Sequence, residues 1–260
     1  MEIIKSRENS TVKLISLLNS SAKQRKKHGL FVCEGLRLCS ELLRENIEFD
    51  TLCVSEDFYE KNGNVFGDLN KLCRKSVVVT NELFGKISDT KSPQGIICIC
   101  RNDCVKTFEP KKDKKYVALE NISDPSNLGT ILRTAEALGV DGLIMSDDCC
   151  DLFSPKVVRG SMGAIFRMSL IFVDSMADYV LKLNEYGFKT YASVVEPDAE
   201  KITDISFANG SVVIIGNEGN GITKQTEENC LNTFTIPMKG RAESLNAATA
   251  SGIIMWELVK

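Results

Sequence analysis

Residues 116–146 read YVALENISDPSNLGTILRTAEALGVDGLIMS. An apolar run at 116–120 gives way to a polar turn, then to an amphipathic stretch at 127–138, then to a second apolar run at 142–146. That order predicts strand, helix, strand. The alternation continues downstream, with strands expected at 168–173, 189–194, 211–215 and 233–236. Helices are expected at 154–160, 176–186, 222–230 and 244–259. Short apolar strands separated by helices of this length imply a mostly parallel sheet with helices on both faces. In such sheets ligands bind where loops leave the carboxyl ends of the strands. The turns after residues 120, 215 and 236 therefore carry the functional weight.

Upstream, 260 residues leave room for a second domain. The stretch NDCVKTFEPKKDKK (102–115) is polar and contains Pro110, and it separates two apolar strands. We place a domain at 1–105, a linker at 106–115 and a second domain at 116–260. The first is expected to be a small α/β unit. Its helices fall at 12–18, 35–44 and 81–88, and its strands at 30–33, 52–55, 77–80 and 96–100. Charge divides unevenly between the halves. Residues 1–115 carry 21 Lys and Arg against 16 Asp and Glu, a net of +5, whereas residues 116–260 net −8. A polyanion would prefer the first half.

No apolar run is long enough to span a membrane, and the N-terminus MEIIKSRENS has no signal-peptide core, so a cytoplasmic protein is expected. The ten cysteines include no CxxC pair, and His28 is the single histidine. No metal site is expected, and the cysteines read as reduced, mostly buried apolar groups.

Three loops stand out. In the first, NISDPSNLGTILRTA (121–135), Asp124-Pro125 forces a turn, Asn127 reads as a helix N-cap, and Arg133 lies within two helical turns of it. A helical Arg there leans back toward the strand ends. In the second, IGNEGNGI (215–222), three glycines require either a tight turn or a close ligand approach, and Glu218 is the single charge. It lacks the Lys and Ser/Thr of a phosphate-binding P-loop and does not fit a dinucleotide fingerprint. In the third, IPMKGRAESLN (236–246), Pro237 ends a strand and Ser244 reads as the N-cap of a helix rich in small residues. Those small residues permit close packing within the fold or against another subunit. Propensity does not explain Asn246 near a helix start.

Taken together, the loops resemble the three motifs of the SpoU/TrmH family of RNA 2′-O-methyltransferases. Asn121, Asp124, Pro125, Asn127, Gly129, Arg133, Thr134 and Ala135 match the first motif. Gly216, Asn217, Glu218, Gly219 and Gly221 match the second, and Ile236, Pro237, Met238, Glu243, Ser244, Leu245 and Asn246 the third. The resemblance covers roughly residues 116–260. More loosely, the first domain is similar to the family's substrate-binding module, a ribosomal-protein-like α/β unit, with HGLFVCEGLRLCSELL (28–43) its most recognisable part.

The resemblance implies a C-terminal trefoil knot, an exception to the usual rule against knotted connections. It also implies a homodimer, and S-adenosylmethionine bound by Gly216, Asn217, Gly219, Ile236, Met238 and Leu245. Arg133 takes the catalytic position, with Asn127, Glu218, Ser244 and Asn246 positioning it and the ribose. A guanidinium stays protonated in nearly all protein settings, which favours electrostatic stabilisation of the developing alkoxide over proton abstraction. RNA contacts are expected on the basic first domain at Lys23, Arg25, Lys26 and Lys27, and from the lysines of 111–115. Family members with a separate N-terminal module act more often on large-subunit ribosomal RNA, so 23S rRNA is the expected substrate. The alternatives are 2′-O-methylation of tRNA, methylation of a base nitrogen, and a non-catalytic RNA-binding ribosome-assembly factor.

Overall fold

The computed structural model describes residues 3–260. The chain forms two compact units. One runs to Val105 and also takes in Phe153–Arg167; the other comprises Lys106–Leu152 and Met168–Lys260.

In the first unit the chain runs β1 (Ile3–Ile4), α1 (Ser10–Ser20), α2 (Ala22–His28), β2 (Leu30–Glu34), α3 (Leu36–Arg44) and β3 (Phe49–Ser55). It continues through α4 (Glu56–Lys61), α5 (Gly63–Asn70), β4 (Cys73–Val79), α6 (Asn81–Ile87) and β5 (Ile96–Arg101). The sheet order is β1-β4-β3-β5-β2, parallel across β1, β4 and β3 and antiparallel where β5 meets β3 and β2. Ile15 and Leu18 of α1 pack with Val32, Cys53, Val79, Ile97 and Ile99 in one core cluster.

Helix α2 was not evident from sequence, because AKQRKKH has no apolar period. Its boundaries are instead set by capping. Ser21 accepts from Gln24 N at its start, and Gly29 takes a left-handed conformation (φ 62) at its end. Arg25 is buried, and its guanidinium donates to the carbonyls of Leu18 and Asn19 at the end of α1. It thus serves the fold, leaving Lys23, Lys26 and Lys27 as the exposed cations of α2.

The second unit is built from β6 (Tyr116–Leu119), α7 (Pro125–Leu138) and β7 (Gly142–Ser146), then, beyond the segment that joins the first unit, β8 (Leu170–Val173), α9 (Met176–Glu185) and β9 (Lys189–Ser193). The short β10 (Glu200–Lys201) leads to β11 (Ser211–Ile215), α10 (Lys224–Asn229), β12 (Asn232–Thr235) and α11 (Ala247–Val259). Helix α8 (Pro155–Gly160) lies in the segment that packs with the first unit, where Phe153 packs on Phe31 at 4.9 Å between ring centroids. Among the described residues the second sheet has the order β10-β12-β9-β11-β6-β7-β8, and every pairing is parallel. This matches the parallel sheet expected from sequence. Tyr116 and Ala118 share one core cluster with Val212, Ile214 and Ile144, while Val117, Leu119, Val213 and Ile215 are also buried, so the central strands are covered on both faces.

Residues 106–115, expected as a linker, are anchored on this unit. Phe108 stacks on Tyr116 at 5.1 Å, against a glycine, Gly142, where a Cβ would come within 2.6 Å of the ring. No helix among the described residues is long and apolar enough to cross a membrane.

Two helix starts differ from the sequence expectation. Helix α7 begins at Pro125, capped by Asp124, whose carboxylate accepts from Ser126 N at 2.7 Å. Asn127 therefore lies inside the first turn instead of capping it, and Arg133 lies more than two turns in. Helix α11 is capped by Asn246, not Ser244, with Asn246 Oδ1 accepting from Ala248 N and Thr249 N. At the start of α7, Pro125 suits the first helical position because the N–H it lacks would be unpaired there and its φ is already helical, which leaves Asp124 as the cap. Three small residues of α11 pack within the fold: Ala247 and Ser251 are buried, and Gly252 faces Thr134 of α7.

Candidate active site

Strand order explains how the site assembles. In register, Leu119 of β6 lies beside Ile215 of β11 on one side and Met145 of β7 on the other. The turns that follow these strands therefore leave the same edge of the sheet side by side. The chain after β12, whose strand is three places from β6, must cross that edge to reach the start of α11.

Asn127 is the junction. It is 6 % exposed; its Nδ2 donates to Glu218 Oε1 at 2.8 Å, and its Oδ1 accepts from Asn246 Nδ2 at 3.0 Å. One side chain thus ties together all three loops singled out in the sequence. The Glu218 carboxylate also accepts from Ser123 N and Asp124 N at 3.1 Å and from Ser123 Oγ at 2.8 Å. Burial pushes its pKa up, but the hydrogen bond from Asn127 and those from backbone and Ser123 outweigh burial and hold it at about 2. Glu218 is therefore an anchor that stays ionised, not a proton carrier at neutral pH.

Asn217 closes the Gly-rich loop. Its Oδ1 accepts from Gly219 N and Asn220 N, its Nδ2 donates to Asn121 O at 2.8 Å, and its backbone pairs in both directions with Gly221. A Cβ on Gly216 would lie 2.2 Å from Gly221 C and Ile222 N. Of the two explanations for the glycines, the tight turn accounts for Gly216. Behind this loop, buried Glu120 accepts from Thr223 N at 2.8 Å, Thr223 Oγ1 at 2.9 Å and Thr226 Oγ1 at 2.5 Å, fixing the start of α10 to the end of β6. Sequence reasoning passed over Glu120 and Ser123. Their partners lie about a hundred residues away, and no local pattern marks them.

Arg133 projects from the exposed stripe of α7 formed with Ser126, Thr130 and Ala137. Among the described residues its guanidinium has no protein acceptor, so it remains free to meet an anion. Ser244 is exposed and joins none of the hydrogen bonds that link Asn127, Glu218 and Asn246.

Three of the residues expected to hold S-adenosylmethionine, Ile236, Met238 and Leu245, are of a kind that could hold that group. Ile236 and Leu245 are half-buried and Met238 is 36 % exposed, so apolar surface lines the third loop. Among the described residues, no backbone N–H or C=O of 237–245 is paired within the protein. Such a loop offers unpaired donors and acceptors to the edge of an adenine ring beside apolar contacts for its faces.

Comparison with known proteins identifies the family. The model of the SpoU rRNA methylase family matches residues 114–256, and that of the MRM3-like substrate binding domain matches residues 9–98. An uncharacterized tRNA/rRNA methyltransferase of Synechocystis is 32% identical over 254 residues, covering 98% of this chain and 92% of the relative. The 23S rRNA (guanosine(2553)-2′-O)-methyltransferase of Bacillus subtilis is 28% identical over 258 residues, 99% of each chain. The crystal structure of an AdoMet-bound rRNA methyltransferase from Sinorhizobium meliloti superposes with a TM-score of 0.86 at 28% identity, covering 99% of this chain and 97% of that one. The chain belongs to the SpoU rRNA methylase family.

Proposed function

We propose that this protein transfers a methyl group from S-adenosylmethionine to a ribose 2′-hydroxyl of ribosomal RNA, with 23S rRNA as the substrate. The observation that carries this reading is the junction at Asn127, which brings the three motif loops to one edge of the sheet, beside a loop with unpaired backbone. Membership of the family and the 23S rRNA substrate named for the Bacillus relative support the choice of RNA.

Bound S-adenosylmethionine supplies a sulfonium-activated methyl carbon. The 2′-oxygen must approach that carbon in line, so the protein's task is orientation and charge. Asn127, held from both sides, fixes the start of α7 and with it the direction of Arg133. The Arg133 guanidinium stabilises negative charge developing on the 2′-oxygen as its proton passes to solvent water. Glu218, ionised and saturated with donors, holds the Gly-rich loop against the turn before α7.

The reading includes a homodimer in the cytoplasm and a trefoil knot in the second unit. Ile253 is 38 % exposed and Trp256 61 % exposed on α11, which packs on α7. A second copy covering this face would also shield Arg133 from water, where its charge acts most strongly. Lys23, Lys26 and Lys27 would contact RNA phosphates.

The test is methyl transfer from labelled S-adenosylmethionine to unmodified 23S rRNA, followed by nucleoside analysis. The expected product is a 2′-O-methylnucleoside from 23S rRNA. Label in tRNA would redirect the substrate, label on a base nitrogen would overturn the reaction, and binding without transfer would favour an assembly factor.

A further inference from the structure

The turn at 121–124 commits all of its backbone N–H groups to side chains. Asn121 N donates to Ser146 Oγ at 2.9 Å and Ile122 N to Cys149 Sγ at 3.3 Å, while Ser123 N and Asp124 N both donate to Glu218. Three carbonyls are held as well: Asn121 O accepts from Asn217 Nδ2, Ile122 O accepts from Cys150 N at 2.8 Å, and Asp124 O accepts from Leu128 N at 3.1 Å. The turn is gripped from two sides, by the Gly-rich loop after β11 and by the turn at 146–150 after β7. These are the two strands that flank β6.

The grip holds an uncommon conformation. Asn121 has φ 53, in the left-handed region, which Asn tolerates better than most side chains and which persists where the surroundings fix it. Ser146 is buried, and its hydroxyl accepts from Asn121 N and also donates to Asp148. The Cys149 sulfur accepts from Ile122 N and donates its S–H to Leu119 O at 3.4 Å. Burial raises the pKa of this thiol, which keeps the proton that bond requires.

We propose that Ser146 and Cys149 are positioning residues for methyl transfer, clasping the turn through which Asn127 and Arg133 are aimed. The proposal rests on the methyltransferase reading above. Neither residue belongs to the three motifs, and neither lies on α7. They act through the backbone of 121–124, whose path sets where Asp124 caps α7 and so how the helix is rotated. A displacement near one ångström at a reacting group costs up to about a hundredfold in rate, so a loosened turn would show in turnover before it showed in binding.

The experiment compares the wild type with Cys149→Ala, Cys149→Ser and Ser146→Ala. Steady-state methyl transfer is measured alongside amide hydrogen exchange of the substrate-free protein. Expected for Cys149→Ala and Ser146→Ala is a kcat about tenfold lower with KM for RNA unchanged, and faster exchange concentrated at 121–124. Cys149→Ser, which keeps both a donor and an acceptor, should restore both readouts. Unchanged exchange in the turn, faster exchange with unaltered kcat, or a serine variant as impaired as the alanine variant would each overturn the proposal. Because exchange is read without substrate, its failure is distinct from that of the methyltransferase reading, which would appear as a wild type that methylates no RNA.

Discussion

Asn246 gives its amide to Asn127 across 119 residues of chain, at 3.0 Å, while its carbonyl oxygen caps α11. One side chain thereby sets where the last helix starts and ties that start to the first motif. Asn127→Ala removes the acceptor for Asn246 and the donor for Glu218. We expect a loss of about 2–3 kcal/mol in denaturant unfolding, since the buried Asn127 side chain gives up two hydrogen bonds, one of them to an ionised carboxylate. A double-mutant cycle with Asn246→Ala should return a coupling of about 1 kcal/mol; additive effects would mean the pair is not coupled.

The acid limb of stability should depend on Glu218. Its pKa falls from the ordinary 4.5 to about 2 in the folded protein. A carboxyl with a depressed folded value contributes stability above its unfolded pKa and loses it as pH falls toward the folded one. The stability gap between wild type and Glu218→Gln should therefore be full at neutral pH and shrink between about pH 4.5 and pH 2. Urea midpoints measured across that range give the comparison; a gap that does not change with pH would contradict it.

On the proposed reading, Arg133 is expected to contribute to chemistry and not to the fold. It is exposed, and no described residue accepts from its guanidinium. Arg133→Ala should leave unfolding free energy within about 0.5 kcal/mol of wild type and leave calorimetric binding of S-adenosylmethionine nearly intact. Turnover should fall by about a hundredfold or more. Normal turnover in this variant would remove Arg133 from the mechanism.

Gly216 and Gly219 should respond differently to the same substitution. At Gly216 the new methyl group meets backbone at 2.2 Å, whereas at Gly219 the nearest atom is Asn217 Oδ1 at 3.5 Å. Gly216→Ala should cost about 1–3 kcal/mol by forcing the loop open and should weaken cofactor binding in calorimetry. Gly219→Ala should be tolerated in both measurements.

The basic residues of α2 also divide. Replacing Lys23, Lys26 and Lys27 by Ala should weaken RNA binding. The slope of log affinity against log salt should fall by about 0.7–0.9 for each phosphate no longer neutralised, with little change in melting temperature. Arg25→Ala should instead destabilise the first unit by about 1–3 kcal/mol, because it leaves carbonyls of α1 without this donor. A filter-binding salt titration and a thermal melt separate the two effects.

Much of the second unit was legible because its strands are buried on both faces. A run such as VVII at 212–215 therefore stands out against amphipathic helices. Helix starts were harder to place. In SDPSN and SLN several cap-competent residues lie in a row, and the choice among them depends on where each side chain finds its partner. Asn127 was read as a cap, yet its partners are Glu218 and Asn246; Asn246, which propensity did not explain, is the cap. Helix α2 went unseen because its stability comes from Ser21, Gly29 and the reach of Arg25 to α1, not from an apolar stripe.

What the amino-acid order determined by itself was the identity of the motif residues, their sequence along the chain, and the alternation that makes a parallel sheet. All of these depend on local composition and spacing. What the tertiary structure alone decided was which strand lies beside which. With β6 between β7 and β11, Ser146 and Cys149 reach a turn 25 and 27 residues away, while Glu218 meets it from the other side. Strand order and register are non-local properties, settled when distant segments bury one another, and no window along the chain contains them.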